Sequence, residues 1–196
     1  MKTFALIALA ALTANAALAN ETRQLDAHEH GVGQLDIAVD GAQIAMELHA
    51  PGADIVGFEY AATSAEDHAK VDAAVATLAR PLDLFTLPAT AGCSVVQASA
   101  ELESEEAHAD HSDAYDDHAE EDHDEEGHED HAEEAGHTEF HAKYLLNCAD
   151  PAAASMITFA YFNAFPNALE LEVQLITDKG SNAFEVERDA PTLDLF

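Results

Sequence analysis

Positive charge is what this sequence has least of. Seven Lys and Arg stand against 39 Asp and Glu, a formal net charge of −32, and no Lys or Arg occurs between Arg80 and Lys143. Nucleic acid and anionic membrane surfaces repel such a chain, which excludes both as partners, whereas cations are drawn to it. Cysteine occurs only at 93 and 148, so none follows the N-terminal leader for lipid attachment. Beyond the leader the only methionines are Met46 and Met156, which argues against a Cu(I) site built from thioethers. There is no His-Glu-x-x-His helix or comparable motif. A metallohydrolase needs an open metal position and a general base in a shaped pocket, so an enzyme is not expected.

What is present begins with an export signal. Lys2 gives a positive start, Phe4 to Leu12 an apolar run, and Ala17-Leu18-Ala19 small residues where signal peptidase reads. Residues 1–19 are expected to be a secretory signal peptide, too short for a membrane span. Residues 20–196 are then long enough for a single domain with a real core. In an oxidising compartment the two cysteines predict one disulfide, Cys93–Cys148.

Hydrophobic patterning predicts an α+β fold, an antiparallel β-sheet with one main amphipathic helix. Leu35, Ile37 and Val39 alternate, Asp40-Gly41 is a hairpin turn pair, and Ile44, Met46 and Leu48 alternate on the way back. Thr63-Ser64-Ala65-Glu66 reads as a capping box for a helix carrying Val71, Ala74, Val75 and Leu78 on one stripe, with Pro81 after its end. Val96, Ala98, Ala100 and Leu102 mark a strand before residue 103, and Phe140, Ala142, Tyr144, Leu146 and Cys148 one after residue 136. Met156 to Phe165 is a further apolar run. Leu169, Leu171, Val173 and Leu175 form a strand, and after Thr177-Asp178-Lys179-Gly180 the last strand holds Phe184 and Val186. The total is about six strands. Between the paired cysteine strands, residues 103–136 form an acidic His-rich insertion without apolar periodicity, expected to be a disordered hairpin tip. Strict alternation puts Cys93 off the face of Val96, so Cys93 must lie just before the strand or beside a bulge.

Histidine carries the chemistry. Eight of the twelve fall in the insertion or at its exit: His108, His111, His118, His123, His128, His131, His137 and His141. Imidazole suits zinc, Cu(II) and Ni(II), and the irregular spacing of the insertion histidines points to a low-specificity collector of Zn(2+). A more site-like arrangement is His28-Glu29-His30, with His137-Thr138-Glu139-Phe140-His141. Each places ligands two apart, on one face of an extended segment. Phe140 and Tyr144 belong to the core, so His137, Glu139 and His141 should face outward. If the N-terminal segment lies beside that strand, His28, His30, His137 and His141, with Glu139, make a tetrahedral site. His49 and His68 stand alone and read as surface or capping residues.

His28-Glu29-His30-Gly31, Gly57-Phe58-Glu59-Tyr60, His137-Thr138-Glu139-Phe140-His141 with Tyr144 and Cys148, and Phe165-Pro166 together resemble the ZrgA-like proteins. The resemblance covers nearly the whole chain beyond the leader. It implies a periplasmic zinc-uptake protein of a Gram-negative bacterium, expressed in response to zinc and accessory to a zinc ABC importer, with that importer's solute-binding subunit as partner. In that family a histidine commonly follows Gly-Phe-Glu. Here the position is Tyr60, and His49 or His68 are the residues that could substitute. The competing expectation is a periplasmic buffer against excess zinc, Cu(II) or Ni(II). The importer's own solute-binding subunit fits less well, because it needs two lobes.

Overall fold

The computed structural model describes residues 29–104 and 137–196. The leader at 1–19, His28, and the insertion from residue 105 to 136 with His108, His111, His118, His123, His128 and His131 lie outside the described residues. Residues 103 and 104, expected to open the insertion, still belong to a strand.

β1 (Val32–Asp40) and β2 (Gln43–Pro51) form the expected hairpin, with Gly41 at φ 56 supplying the left-handed turn residue. β4 (Cys93–Ser104) and β5 (Thr138–Cys148) pair antiparallel across the whole length of both, from Cys93↔Cys148 to Ser104↔Thr138. β5 also pairs antiparallel with β2. β7 (Glu170–Thr177) and β8 (Gly180–Glu187) complete a six-stranded sheet of order β4-β5-β2-β1-β7-β8. One expectation is corrected here: β7 runs parallel to β1, so the sheet is mixed. The chain leaving β5 first crosses the core face, then enters on the far side of β1 in the same direction.

That crossing supplies β6 (Met156–Phe159), the middle strand of a second sheet of order β3-β6-β9 completed by β3 (Phe85–Thr86) and β9 (Thr192–Asp194). Strands of two to four residues have no period to read, which is why nine strands appear among the described residues where about six were legible. The two layers meet through aromatic rings. Phe85 lies 5.9 Å from Tyr144 and 5.8 Å from Phe159, centroid to centroid. The inner face of the large sheet carries Leu35, Ile37, Met46, Leu48, Phe140, Leu146, Leu171 and Val173, all buried.

The main helix is α2 (Ala65–Leu78), with short turns α1 (Gly52–Ile55), α3 (Pro81–Leu84) and α4 (Tyr161–Ala164) elsewhere. Ala74 and Leu78 are buried, as the stripe predicts. The cap sits one residue later than expected. Ser64 accepts the Asp67 backbone N–H at 3.0 Å, and its hydroxyl donates to the Asp67 carboxylate at 2.6 Å. Asp at this position satisfies the first turn better than the Thr63–Glu66 pairing, because its shorter chain reaches the cap hydroxyl directly.

The Cys93–Cys148 disulfide is formed. Its 55-residue separation gives about 4 kcal/mol of stabilisation by chain entropy. A bulge between Val95 and Gln97 resolves the alternation conflict. Cys93 and Val95 pair with Cys148 and Leu146, Val96 is skipped, and Ala98, Ala100 and Leu102 return to the same face. Val96, expected on that face, is instead 59% exposed.

Gly52 makes the closest approach in the fold. A Cβ there would lie 2.3 Å from Thr138 Oγ1 and 2.6 Å from the Phe58 carbonyl oxygen. Both neighbours are fixed, Thr138 because it is fully buried and Phe58 because its atom is backbone. Gly52→Ala should therefore destabilise the protein by about 1–3 kcal/mol, the usual penalty of overpacking. Urea denaturation checks it, and a variant as stable as wild type would show that α1 can move off β5.

Candidate metal centre

β2 and β5 are central strands, so each has two faces to place. Leu48 and Phe140 point to the core, and the residues between them point the other way. In the β2–β5 register His49 lies directly opposite His141, and Pro51 opposite Glu139. On the far side of β5, Glu101 pairs with His141 and Glu103 with Glu139. The outer face at this end of the sheet thus collects two imidazoles and several carboxylates.

His49, Glu139 and His141 each offer a ligand atom within 4.8 Å of the others. Glu139 Oε2 is shared, 2.6 Å from His141 Nε2 and 3.6 Å from His49 Nδ1. Ligand atoms around a tetrahedral zinc sit about 3.3 Å apart, given metal–ligand bonds of ~2.0–2.1 Å, so small side-chain adjustments suffice. The two rings meet edge to face at 4.3 Å between centroids. Glu103 Oε2, 3.5 Å from His141 Nε2, is available as a fourth ligand. On the other side of His49, Nε2 lies 3.5 Å from Glu47, which is itself held by Lys143 at 3.1 Å. A carboxylate behind a ligating imidazole fixes the ring and raises its basicity.

His141 faces outward as expected, yet it is only 4% exposed, because its neighbours on three strands close over it. Neither ring nitrogen has a partner at hydrogen-bonding angles, even though Nε2 is in close contact with Glu139. A buried imidazole left this way is costly in the absence of a ligand, and a metal ion satisfies it. Burial alone would raise the Glu139 carboxyl, but its close polar contacts with His141 and His49 and their positive charge outweigh it and lower it from 4.5 to about 2. The donor set therefore fits a borderline divalent cation.

Among the described residues, the members of the site expected from His28, His30, His137, Glu139 and His141 fall into two clusters, and His28 lies outside the described residues. β2 lies beside β5, so His49, not His30, stands opposite His141. His30 and His137 do meet, but on Glu59: His30 Nε2 is 3.0 Å from Oε1 and His137 Nδ1 is 3.2 Å from Oε2. His49, read as isolated and named only as a substitute for the histidine absent at Tyr60, is the candidate ligand that this pairing brings in. Its signal was present, since the alternation of Ile44, Met46 and Leu48 already put His49 on the outer face. What was lacking was the pairing of β2 with β5. His68 is an exposed residue in the first turn of α2, its Nδ1 2.7 Å from the Ser64 carbonyl oxygen.

A family model described as ZrgA family zinc uptake protein matches residues 27–195. The chain belongs to this family. No curated protein matches it. For a ZrgA family member, the two imidazoles and carboxylate on β2 and β5 are ligands of the type zinc takes. Among the described residues no helix is long and apolar enough to cross a membrane.

Because Glu139 is depressed in the folded state, its contribution to stability is fully present above pH 4.5 and is lost as pH falls from 4.5 towards about 2. Urea denaturation of the metal-free protein at pH 6 and pH 3 should show this loss, and Glu139→Gln should shrink the difference between the two. An unchanged difference would mean that the Glu139–imidazole contacts carry no net stability.

Proposed function

We propose that this protein captures zinc in the periplasm at His49, Glu139 and His141 and assists its high-affinity uptake by an ABC importer. The observation that carries the reading is the convergence of these three ligands within 4.8 Å on paired strands of a zinc-uptake family member. Strands joined by a full ladder hold ligands in place better than a loop can. The acidic His-rich insertion serves as a weaker collector that raises zinc concentration near the site. The importer's solute-binding subunit is the partner that receives the ion. The protein acts by binding and not by turnover. A carboxylate lowered to about 2 is far from the range in which a general base works near neutral pH.

Zinc titration against a competing chelator, below one equivalent, reads the tightest site even with the insertion present. His49→Ala should weaken that site by at least about 100-fold, beyond the 10- to 100-fold that losing an outer-shell partner gives. Unchanged affinity would remove His49 from the centre. Binding to the wild type should fall steeply from about pH 7.5 to about 5.5, as imidazoles in general take up protons near pH 6.5 while carboxylates stay ionised. Binding that stays flat through that range would point to carboxylates alone.

Regulation separates uptake from buffering. Uptake predicts that the transcript rises under zinc chelation and that a deletion strain grows poorly in low zinc. A transcript that rises only under excess zinc, Cu(II) or Ni(II) would favour a buffering protein instead.

A further inference from the structure

We propose that His30, Glu59 and His137 form a second divalent-metal site, separate from the His49–Glu139–His141 centre and closer to solvent. Its ligand class is the same, a borderline ion such as zinc held by two imidazoles and a carboxylate, but none of its residues is shared. The proposal therefore stands or falls independently of the centre already described.

Three segments distant in sequence converge here. His30 lies in the turn before β1, Glu59 follows α1, and His137 immediately precedes β5. Each oxygen of Glu59 faces one imidazole, at 3.0 Å for His30 and 3.2 Å for His137. Each imidazole is thus within a ligand spacing of the carboxylate, about 3.3 Å for a tetrahedral zinc. A single ion held by all three requires the two rings to turn towards one another. Glu59 is 13% exposed, while His30 is 68% and His137 55% exposed. The carboxylate is thus set into the protein and the imidazoles flank it from the solvent side. Such a site leaves coordination positions open to water.

The neighbours of these residues show that the arrangement is built, because each ligand is adjacent in sequence to an anchored residue. Gly31, next to His30, donates its N–H to Asp54 Oδ1 at 2.7 Å, and Asp54 is 3% exposed. The Gly31 carbonyl accepts from Leu169 N at 2.7 Å and Glu170 N at 2.9 Å, and its φ of 92 suits glycine. Phe58, next to Glu59, is buried and stacks on Tyr60 at 4.6 Å. Thr138, next to His137, is fully buried against Gly52. An isolated surface ion pair contributes little to stability and needs no such support. Anchors of this kind hold the flanking side chains in place, as a ligand site requires.

The test uses the full disulfide-bonded chain and zinc ion alone. Histidine ring carbon–proton NMR resolves individual imidazoles, with signals assigned by His30→Ala, His137→Ala, His49→Ala and His141→Ala. The His30 and His137 signals should move together on adding zinc. In Glu59→Ala, and in Glu59→Gln should the alanine variant fold poorly, their response should need at least tenfold more zinc, while the His49 and His141 signals respond as in wild type. If the His30 and His137 signals stay still while zinc saturates the other histidines, or respond unchanged in the Glu59 variants, the second site is overturned. If His30 and His137 respond and His49 and His141 do not, the second site stands and the inner centre falls.

Discussion

A slip of β5 by one residue against β2 would move every side chain of β5 to the opposite face. The observed register, with His49 opposite His141 and Leu48 opposite Ala142, therefore sets the core and the candidate metal centre in one step. Leu48, Phe140 and Ala142 are buried inside, and this hydrophobic drive keeps His49, Glu139 and His141 together outside. At roughly 1.5–3 kcal/mol for each large apolar side chain buried, the core face outweighs any preference of the ligands for other arrangements. The site needs no folding energy of its own. It is carried on the back of a sheet that the core has already registered.

The disulfide and the bulge act on the same strand pair. Cys93–Cys148 ties β4 to β5 at the end away from the insertion, and the ladder continues to Ser104↔Thr138. Whatever residues 105–136 do, their two stems are fixed beside Glu103 and Glu139. The bulge lets Cys93 share a face with Ala98 and Ala100 although the count between them is odd. Without it, either the bridge or the packing of Ala98, Ala100 and Leu102 would be lost.

Much of this was legible in the sequence because it depends on local period. The β1–β2 hairpin, the α2 stripe, the disulfide and the alternation of β5 all follow from neighbouring residues. The bulge was foreshadowed by the mismatch between Cys93 and Val96. What was not legible depends on which strand sits beside which. The choice of β2 over the N-terminal segment as the neighbour of β5 turned one expected site into two clusters, and brought in His49 and Glu59. The parallel β1–β7 pair was hidden for the same reason, since nothing local in Leu171, Val173 or Leu175 encodes direction. The short strands of the second sheet were hidden by length.

Electrostatics explains why the acidic excess is tolerated around these clusters. Like charges crowd on the outer face of β7 and β8. There slight burial, followed by Glu185, Glu187, Glu172 and Glu29, raises the carboxyl of Glu170. That is the signature of a surface with too few cations. At the metal centre the sign is reversed, and Glu139 is lowered because two imidazoles face it. A carboxylate that keeps its charge needs less reorganisation to receive a dication than one that must first lose a proton. His141 is only 4% exposed, so an ion held there would be shielded from water that competes for its coordination positions. In the proposed reading, ligands of one chemical type are set apart by their place on a registered sheet, which holds His49, Glu139 and His141 more firmly than a loop could.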